Sequence, residues 1–291
     1  MAARDAAATL PALLDALAAQ DTTAPFEVVV ADDGSRDATR AIAAAHPVVT
    51  RVVDAGGRGP GAARNAAVAA SRAPVLAFTD ADCVPAPGWL RCGLAALRAG
   101  AGVVQGRVVP AGPVGPWDRT LWVSSLSGLF ETANLLTTRE RFDAVGGFEP
   151  WLAPRRSKEL GEDVWLGWRL VRAGARPAFA PHAVVAHAVE RRGPAGFVAE
   201  RARARFFPAL VRRVPELREA FLWRGAFLTR RSAAFDLALA GLAVRRRALA
   251  LPYLLLLGRD GLRRAPVHVA ADAVTAASLL AGSARSRRVV L

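Results

Sequence analysis

Two pairs of carboxylates, Asp32–Asp33 and Asp80–Asp82, each close an apolar run, in VVVADDGS and VLAFTDAD. Acids gathered in one place repel one another unless a cation or hydrogen-bond donors meet them. A hard divalent ion with oxygen ligands, Mg²⁺ or Mn²⁺, answers that need and keeps open positions for a substrate phosphate. Between the pairs runs DAGGRGPGAARN, from Asp54 to Asn65. Its glycines permit close backbone approach, the helix it opens favours anions at its N-terminus, and Arg64 offers a planar fork suited to a diphosphate. The loop lacks the Gly-Lys-Ser/Thr of a P-loop and the G-x-G-x-x-G of a dinucleotide site. Asp and Gly are also common wherever strands end in turns, so each motif by itself has a purely structural reading.

The elements that must position these residues alternate. Leu10–Gln20 has helical periodicity, Phe26–Ser35 reads as a buried strand, and Arg36–His46 as a helix. Val49–Gly57 is a strand entering the glycine loop, Gly61–Ser71 a helix, and Ala73–Asp82 a strand. This order predicts right-handed βαβ units and a mostly parallel sheet, whose ligands bind beyond the carboxyl ends of the strands. Both acid pairs would then share one edge. In an extended strand Asp80 and Asp82 point to the same face, so both could meet one ligand. Further on come a helix (Gly88–Gly100), a strand (Gly102–Pro110), a Gly/Pro-rich stretch (Pro110–Pro116) and one clear helix in the aromatic-rich region 117–190, Glu162–Gly174.

With 291 residues, 53% of them hydrophobic, the chain can hold one large domain, or a domain with an appendage. Its net charge is +14, and from Ala195 onward 18 arginines face 6 acids, so +12 of it lies there. Cys83 and Cys92 have neither disulfide-framework nor metal-knuckle spacing and read as small residues in a reducing compartment. The N-terminus shows no basic region followed by an apolar run, and the expected location is the cytoplasm, with peripheral contact at the inner face of the cell membrane.

Five motifs in series then carry a resemblance: VVVADDGSRDATR, GPGAARNAAVAAS, VLAFTDADCVP, NLLTTRERFDAVGGFEP and GEDVWLGWRLVRAGARPAFAP. Together, over about residues 5–190, they resemble the inverting family 2 glycosyltransferases of the GT-A fold. The resemblance implies a nucleoside-diphosphate-sugar donor. Asp32 and Asp33 take the place of acids that contact its nucleoside, and Arg64 that of a residue near its phosphates. Asp80 and Asp82 match the DxD motif, with Asp80 toward the ribose or sugar and Asp82 on the metal. In GED, Asp163 matches the general base that takes the acceptor hydroxyl's proton, and Glu162 the neighbour that orients loop or acceptor. Acids at helix starts are also ordinary caps. His187 falls where some relatives place a histidine near the diphosphate or metal, and a structural imidazole is the alternative. Asn134 and the Gly146–Phe148 turn fit the segment between donor and acceptor halves. Trp151, Trp165 and Trp168 could line an acceptor groove, although the spacing of the last two suits core packing.

The chain departs from this pattern at its start. Family members begin with an apolar strand, whereas Ala2–Leu10 resembles only the strand's end and the loop after it. Loss of about four buried side chains, at ~1.5–3 kcal/mol each, rivals a domain's whole stability of ~5–15 kcal/mol. The expectation is an upstream natural start or a damaged form. The predicted organisation is an α/β GT-A catalytic domain over residues 1–192 with its first strand missing, and a basic helical region over 193–291.

No apolar run in that region reaches the ~20 residues needed to span a bilayer. Short apolar helices flanked by arginine can lie in a membrane interface, or form a bundle with solvated arginines. No groove-reading motif supports nucleic acid as a partner. The implied acceptor is a hydroxyl on a lipid-linked or cell-envelope glycan at the inner face of the membrane. The alternative is an inactive, truncated relative that binds membrane or a partner. A phosphatase using Asp80 as nucleophile would need a nearby lysine, and Lys158, the sole lysine, sits in the loop-like RRSKELG.

Overall fold

The computed structural model describes residues 1–149, 151 and 161–291, so Lys158 lies outside the described residues. Two compact units emerge. The first comprises Met1–Val114 and Thr120–Val189, the second Gly115–Arg119 and Glu190–Leu291.

In the first unit the elements run β1 (Ala2–Ala3), α1 (Leu10–Ala18), β2 (Val28–Asp32), α2 (Thr39–Ala45), β3 (Val49–Asp54), α3 (Pro60–Ala70), β4 (Val75–Phe78), β5 (Cys83–Pro85), α4 (Trp89–Arg98), β6 (Val103–Pro110), β7 (Leu135–Thr138), α5 (Arg139–Ala144), α6 (Glu162–Arg172) and β8 (Pro177–His187). Among the described residues the strands form a three-stranded parallel sheet, β1-β2-β3, and a five-stranded sheet, β4-β7-β6-β8-β5. The second sheet is mixed. β7 runs antiparallel to both β4 and β6, and β5 runs antiparallel to β8, while β6 and β8 are parallel. The mostly parallel expectation holds for the first sheet alone, because β5 and β7 are too short to read as strands in the sequence.

Strand β2 is buried along its whole length, which is why it reads as a continuous apolar run. Alternation divides its side chains. Val28 and Val30 join the core with Leu10, Leu13, Leu14 and Leu17 of α1, whereas Val29 and Ala31 meet Ala63 and Ala67 of α3. The α1 leucines recur at i, i+3, i+4 and i+7, one stripe of a helix. The expected first-strand end is present as β1, paired in register with Ala31 and Asp32. Beyond it a cavity of about 360 Å³ lies between Val28 and Val29 of β2 and Val75 and Ala77 of β4.

The second unit contains α7 (Pro194–Glu200), α8 (Phe207–Arg213), α9 (Leu217–Ala220), α10 (Arg230–Ala243), α11 (Leu251–Asp260) and α12 (Ala265–Ser286). Thr229 and Ser232 form a reciprocal capping box at the start of α10. Ala234, Phe235 and Ala238 of α10 pack on Tyr253 and Leu257 of α11. Asp272 falls inside the apolar run Ala265–Ser283, yet it lies within the unbroken helix α12. Among the described residues one stretch, Leu262–Ser286, is long and apolar enough to cross a membrane by length and composition. Asp272 is accommodated there by Arg231, whose Nε donates to both its oxygens at 2.9 and 2.8 Å, and by Tyr253, whose hydroxyl donates to Oδ2 at 2.7 Å.

Candidate active site

The site is assembled by backbone geometry at the ends of β2 and β4. Asp32 is the last residue of β2 and Asp33 follows it, and both are almost fully buried. Ser35 N–H donates to Asp32 Oδ1 at 3.1 Å. Gly59 N–H donates to both Asp33 oxygens, at 3.2 and 3.1 Å. Gly59 precedes α3 with φ of 99°, a left-handed conformation that glycine adopts at no steric cost. The glycine loop is thereby stapled to the DDGS strand end, and two buried carboxylates are met by backbone donors.

Asp80 and Asp82 behave differently from expectation. Strand β4 ends at Phe78, and Asp80–Asp82 form a turn closed by Cys83 N–H donating to Asp80 O at 3.1 Å. The turn sends the two carboxylates to separate partners instead of to one face. Asp80 Oδ1 accepts from Arg64 Nη2 at 2.7 Å, while Asp82 Oδ2 lies 3.6 Å from His187 Nε2.

Arg64 projects from α3 and is buried. Its Nη1 donates to Glu162 Oε1 at 3.0 Å, and its guanidinium stands over the Phe148 ring at 5.6 Å. Burial opposes its charge, but Asp80 and then Glu162 outweigh burial and hold it above the ordinary guanidinium value. Both terminal nitrogens are thus engaged by carboxylates. Arg64 clasps the β4 turn to the start of α6, a role beyond the phosphate contact its motif implies. Asn65, its neighbour, fixes the underlying turn: Nδ2 donates to Phe148 O at 2.7 Å, and Phe148 N–H donates to Oδ1 at 2.8 Å.

Glu162 and Asp163 occupy the first turn of α6, which starts after Gly161 in a left-handed conformation (φ 72°). Asp163 Oδ1 accepts from Val164 N–H at 2.8 Å. Its carboxyl is held well above the usual carboxylate range, first by desolvation, then by the charges of Glu162 and Glu131. Glu131 escaped the sequence reading. It is an isolated glutamate in FETAN, itself raised by desolvation, with Oε2 buried and unpartnered. Nothing in its local sequence distinguishes it, because its neighbours are brought in by α6.

The Asp82–His187 pairing follows from register, since Cys83 of β5 lies opposite His187 of β8. His187 Nδ1 faces Ala188 O at 2.8 Å; in the tautomer that donates there, the Nε2 lone pair faces Asp82, an arrangement that either a proton on Nε2 or a metal cation relieves. Asp82, Cys83 and His187 each offer a ligand atom, all within 4.8 Å of one another. The Cys83 thiol is pushed up by burial, then by Asp80 and Asp82, and stays protonated. That leaves a carboxylate and an imidazole, a mixed oxygen–nitrogen donor set that fits a transition-metal dication such as Mn²⁺ better than Mg²⁺, which prefers oxygen ligands.

Asn134, Trp165 and Trp168 are used for packing. Asn134 is fully buried, accepting from Trp89 Nε1 at 2.8 Å and donating to Arg107 O and Ala183 O at 2.9 and 2.7 Å. Trp165 Nε1 donates to Glu149 Oε2, and Trp168 Nε1 to Gly128 O. Trp168 also meets Phe130 edge to face. Trp151 Nε1 donates to Gly161 O at 3.4 Å, beside the start of α6.

Two sheets flanked by helices, with acid-rich loops at the strand ends, give the first unit the GT-A fold shared by its structural neighbours. The glycosyl transferase family 2 model matches residues 1–153, and the chain belongs to that family. Over 181 residues it is 30% identical to a pre-mycofactocin glycosyltransferase of Mycobacterium tuberculosis, covering 56% of this chain and 37% of that protein. Over 177 residues it is 29% identical to glycosyltransferase AglE of Haloferax volcanii, covering 56% of each. The chain thus spans about half or less of the length of these relatives. A mannosyltransferase of Pyrobaculum calidifontis, solved with GDP-Man and Mn²⁺, superposes with a TM-score of 0.64 at 22% identity, over 98% of this chain and 85% of that one. S. aureus TarS, solved with UDP-GlcNAc, gives 0.52 at 17% identity, over 99% and 90%.

Proposed function

We propose that this chain is an inverting glycosyltransferase that moves a sugar from a nucleoside-diphosphate sugar to a hydroxyl acceptor. The observation that carries the proposal is the clasp of Arg64 on Asp80 and Glu162, which gathers the DxD turn and the acidic start of α6 into one site. The glycosyltransferase relatives and the nucleotide-sugar complexes of the similar folds support the same reading.

Asp32 and Asp33, preset by Ser35 and Gly59, bind the nucleoside, and Asp80 orients the ribose or sugar. Asp82 and His187 would hold a divalent cation, which when bound would supply positive charge against the charge the leaving diphosphate gains. Asp163 accepts the proton of the acceptor hydroxyl as that oxygen bonds to the anomeric carbon. The bond from that carbon to the diphosphate oxygen breaks, and the nucleoside diphosphate leaves with the electron pair. Attack opposite the leaving group inverts the anomeric centre. Glu162 stays paired with Arg64 and keeps the loop in place. The acceptor is a lipid-linked or cell-envelope glycan, reached at the cytoplasmic face of a membrane through peripheral contact of the second unit.

The test is a panel of nucleotide sugars with Mn²⁺, read by thermal shift, donor hydrolysis and product mass. Asp82→Ala should remove metal-dependent donor binding, while Asp163→Asn should spare binding and abolish transfer. Normal transfer by the Asp163 variant would sink the base assignment.

A further inference from the structure

The second unit exposes an apolar surface that its own core does not explain. Leu242, Val244, Leu251, Leu254 and Leu255 are each 56–63% exposed, on and between α10 and α11. The inner faces of the same helices already hold a small core of Phe235, Ala238, Tyr253 and Leu257. Helices apolar on both faces belong in a larger core or against lipid. The hairpin is fixed in shape: Gly241 packs so closely on Leu249 and Arg246 O that a Cβ there would lie 2.7 and 2.9 Å from them.

Charge says what meets this face. From Leu237 to Arg259 there are four arginines and no Asp or Glu. Arg245, Arg246 and Arg247 are all exposed at the turn, and among the described residues no carboxylate pairs with them or with Arg259. A cleft of about 700 Å³ opens between the helices, lined by Phe227, Leu237 and Leu255 with Arg224, Arg230 and Arg259. Its one acid, Asp236, is raised above the ordinary carboxylate value by desolvation. An apolar cleft edged by cationic forks matches an acyl chain that ends in a phosphate. A second copy of the chain would instead bring another strongly basic region against this one.

We propose that the α10–α11 hairpin is a docking surface for an anionic phospholipid bilayer, its leucines entering the interface and its arginines meeting the phosphates. This deepens the peripheral contact in the proposed function and rests on that reading. Asp272, engaged by Arg231 and Tyr253, holds α12 within the bundle and makes the contact peripheral rather than spanning.

The experiment is co-sedimentation of the full chain with phosphatidylcholine vesicles, with and without phosphatidylglycerol. Binding should require phosphatidylglycerol and weaken with added salt. The exposed double variant Leu254→Asp/Leu255→Asp should lose about tenfold or more in partition. Reversing Arg245, Arg246 and Arg247 to Glu should lose about fivefold per arginine. Thermal melts and donor hydrolysis of both variants should match the parent chain. Three results would overturn the proposal: binding indifferent to phosphatidylglycerol and to both variants, retention in alkaline carbonate, or a vesicle-free dimer that the leucine variant dissociates. Vesicle binding without any nucleotide-sugar hydrolysis would defeat the glycosyltransferase reading and leave this one standing.

Discussion

Each unit holds an arginine clamped between two carboxylates, and the two clamps are not equivalent. In the first unit Arg64 is buried and joins Asp80 to Glu162 at 2.7 and 3.0 Å. In the second, Arg231 is about a quarter exposed and joins Asp260 to Asp272. Around Arg231 each carboxylate has a further partner, the Tyr253 hydroxyl donating to Asp272 and His268 lying 3.9 Å from Asp260. Around Arg64 more acid gathers. Asp163 and Glu131 lie close by, among the described residues no further arginine pairs with them, and both are pushed above their usual values. The first arrangement ties helices together. The second keeps a carboxyl ready to exchange a proton, which is what the proposed base for a hydroxyl acceptor requires.

The contrast can be broken in several ways. The largest effect belongs to Asp163→Asn, which should lower sugar transfer about 10²–10⁴-fold while donor affinity is retained. Steady-state rates beside equilibrium binding of the donor would decide it. Next, Arg64→Met should destabilise the chain by about 3–5 kcal/mol, because it strands two carboxylates. The equivalent change at the more exposed clamp, Arg231→Met, should cost about 1.5–3 kcal/mol. Denaturant unfolding of both variants compares them directly, and equal losses would erase the distinction.

Proton exchange gives a finer test. Because the folded-state pKa of Asp163 is raised, its contribution to stability is fully present below the unfolded carboxylate value of ~3.9 and is lost as pH rises through the folded value. In the proposed role of base it would act only when ionised, so transfer should rise over that same upper window. The melting temperature of donor-free Asp163→Asn should therefore depend less on pH there than that of the parent chain. The smallest effect is expected from Glu131→Gln. Removing its charge should move the acidic limb of the rate profile to lower pH, with kcat at neutral pH little changed. An unmoved limb would take Glu131 out of the site.

Much of this arrangement was legible along the chain. The apolar run of β2, the four-leucine stripe of α1 and the acid pairs at the strand ends follow from period and composition, which are local. The Asp80–Asp82 geometry was not legible, since alternation along an extended strand applies only if the strand continues, and here a turn intervenes after Phe78. Strands β5 and β7, at three and four residues, are too short to carry a period. Glu131 is inconspicuous because its importance comes from α6, more than thirty residues further on. The paired tryptophans Trp165 and Trp168 could be assigned to packing only once their partners Glu149 and Gly128 were in place.

By itself the sequence determined which residues could ionise, where the backbone could turn, and which segments had an apolar face to bury. These depend on side-chain chemistry and on spacing within a few residues. The tertiary structure decided which charges meet: Arg64 with Glu162 across 98 positions, and Asp82 with His187 through the pairing of β5 and β8. Electrostatic strength depends on separation in space and on exclusion of water, and both are set only when distant elements pack together.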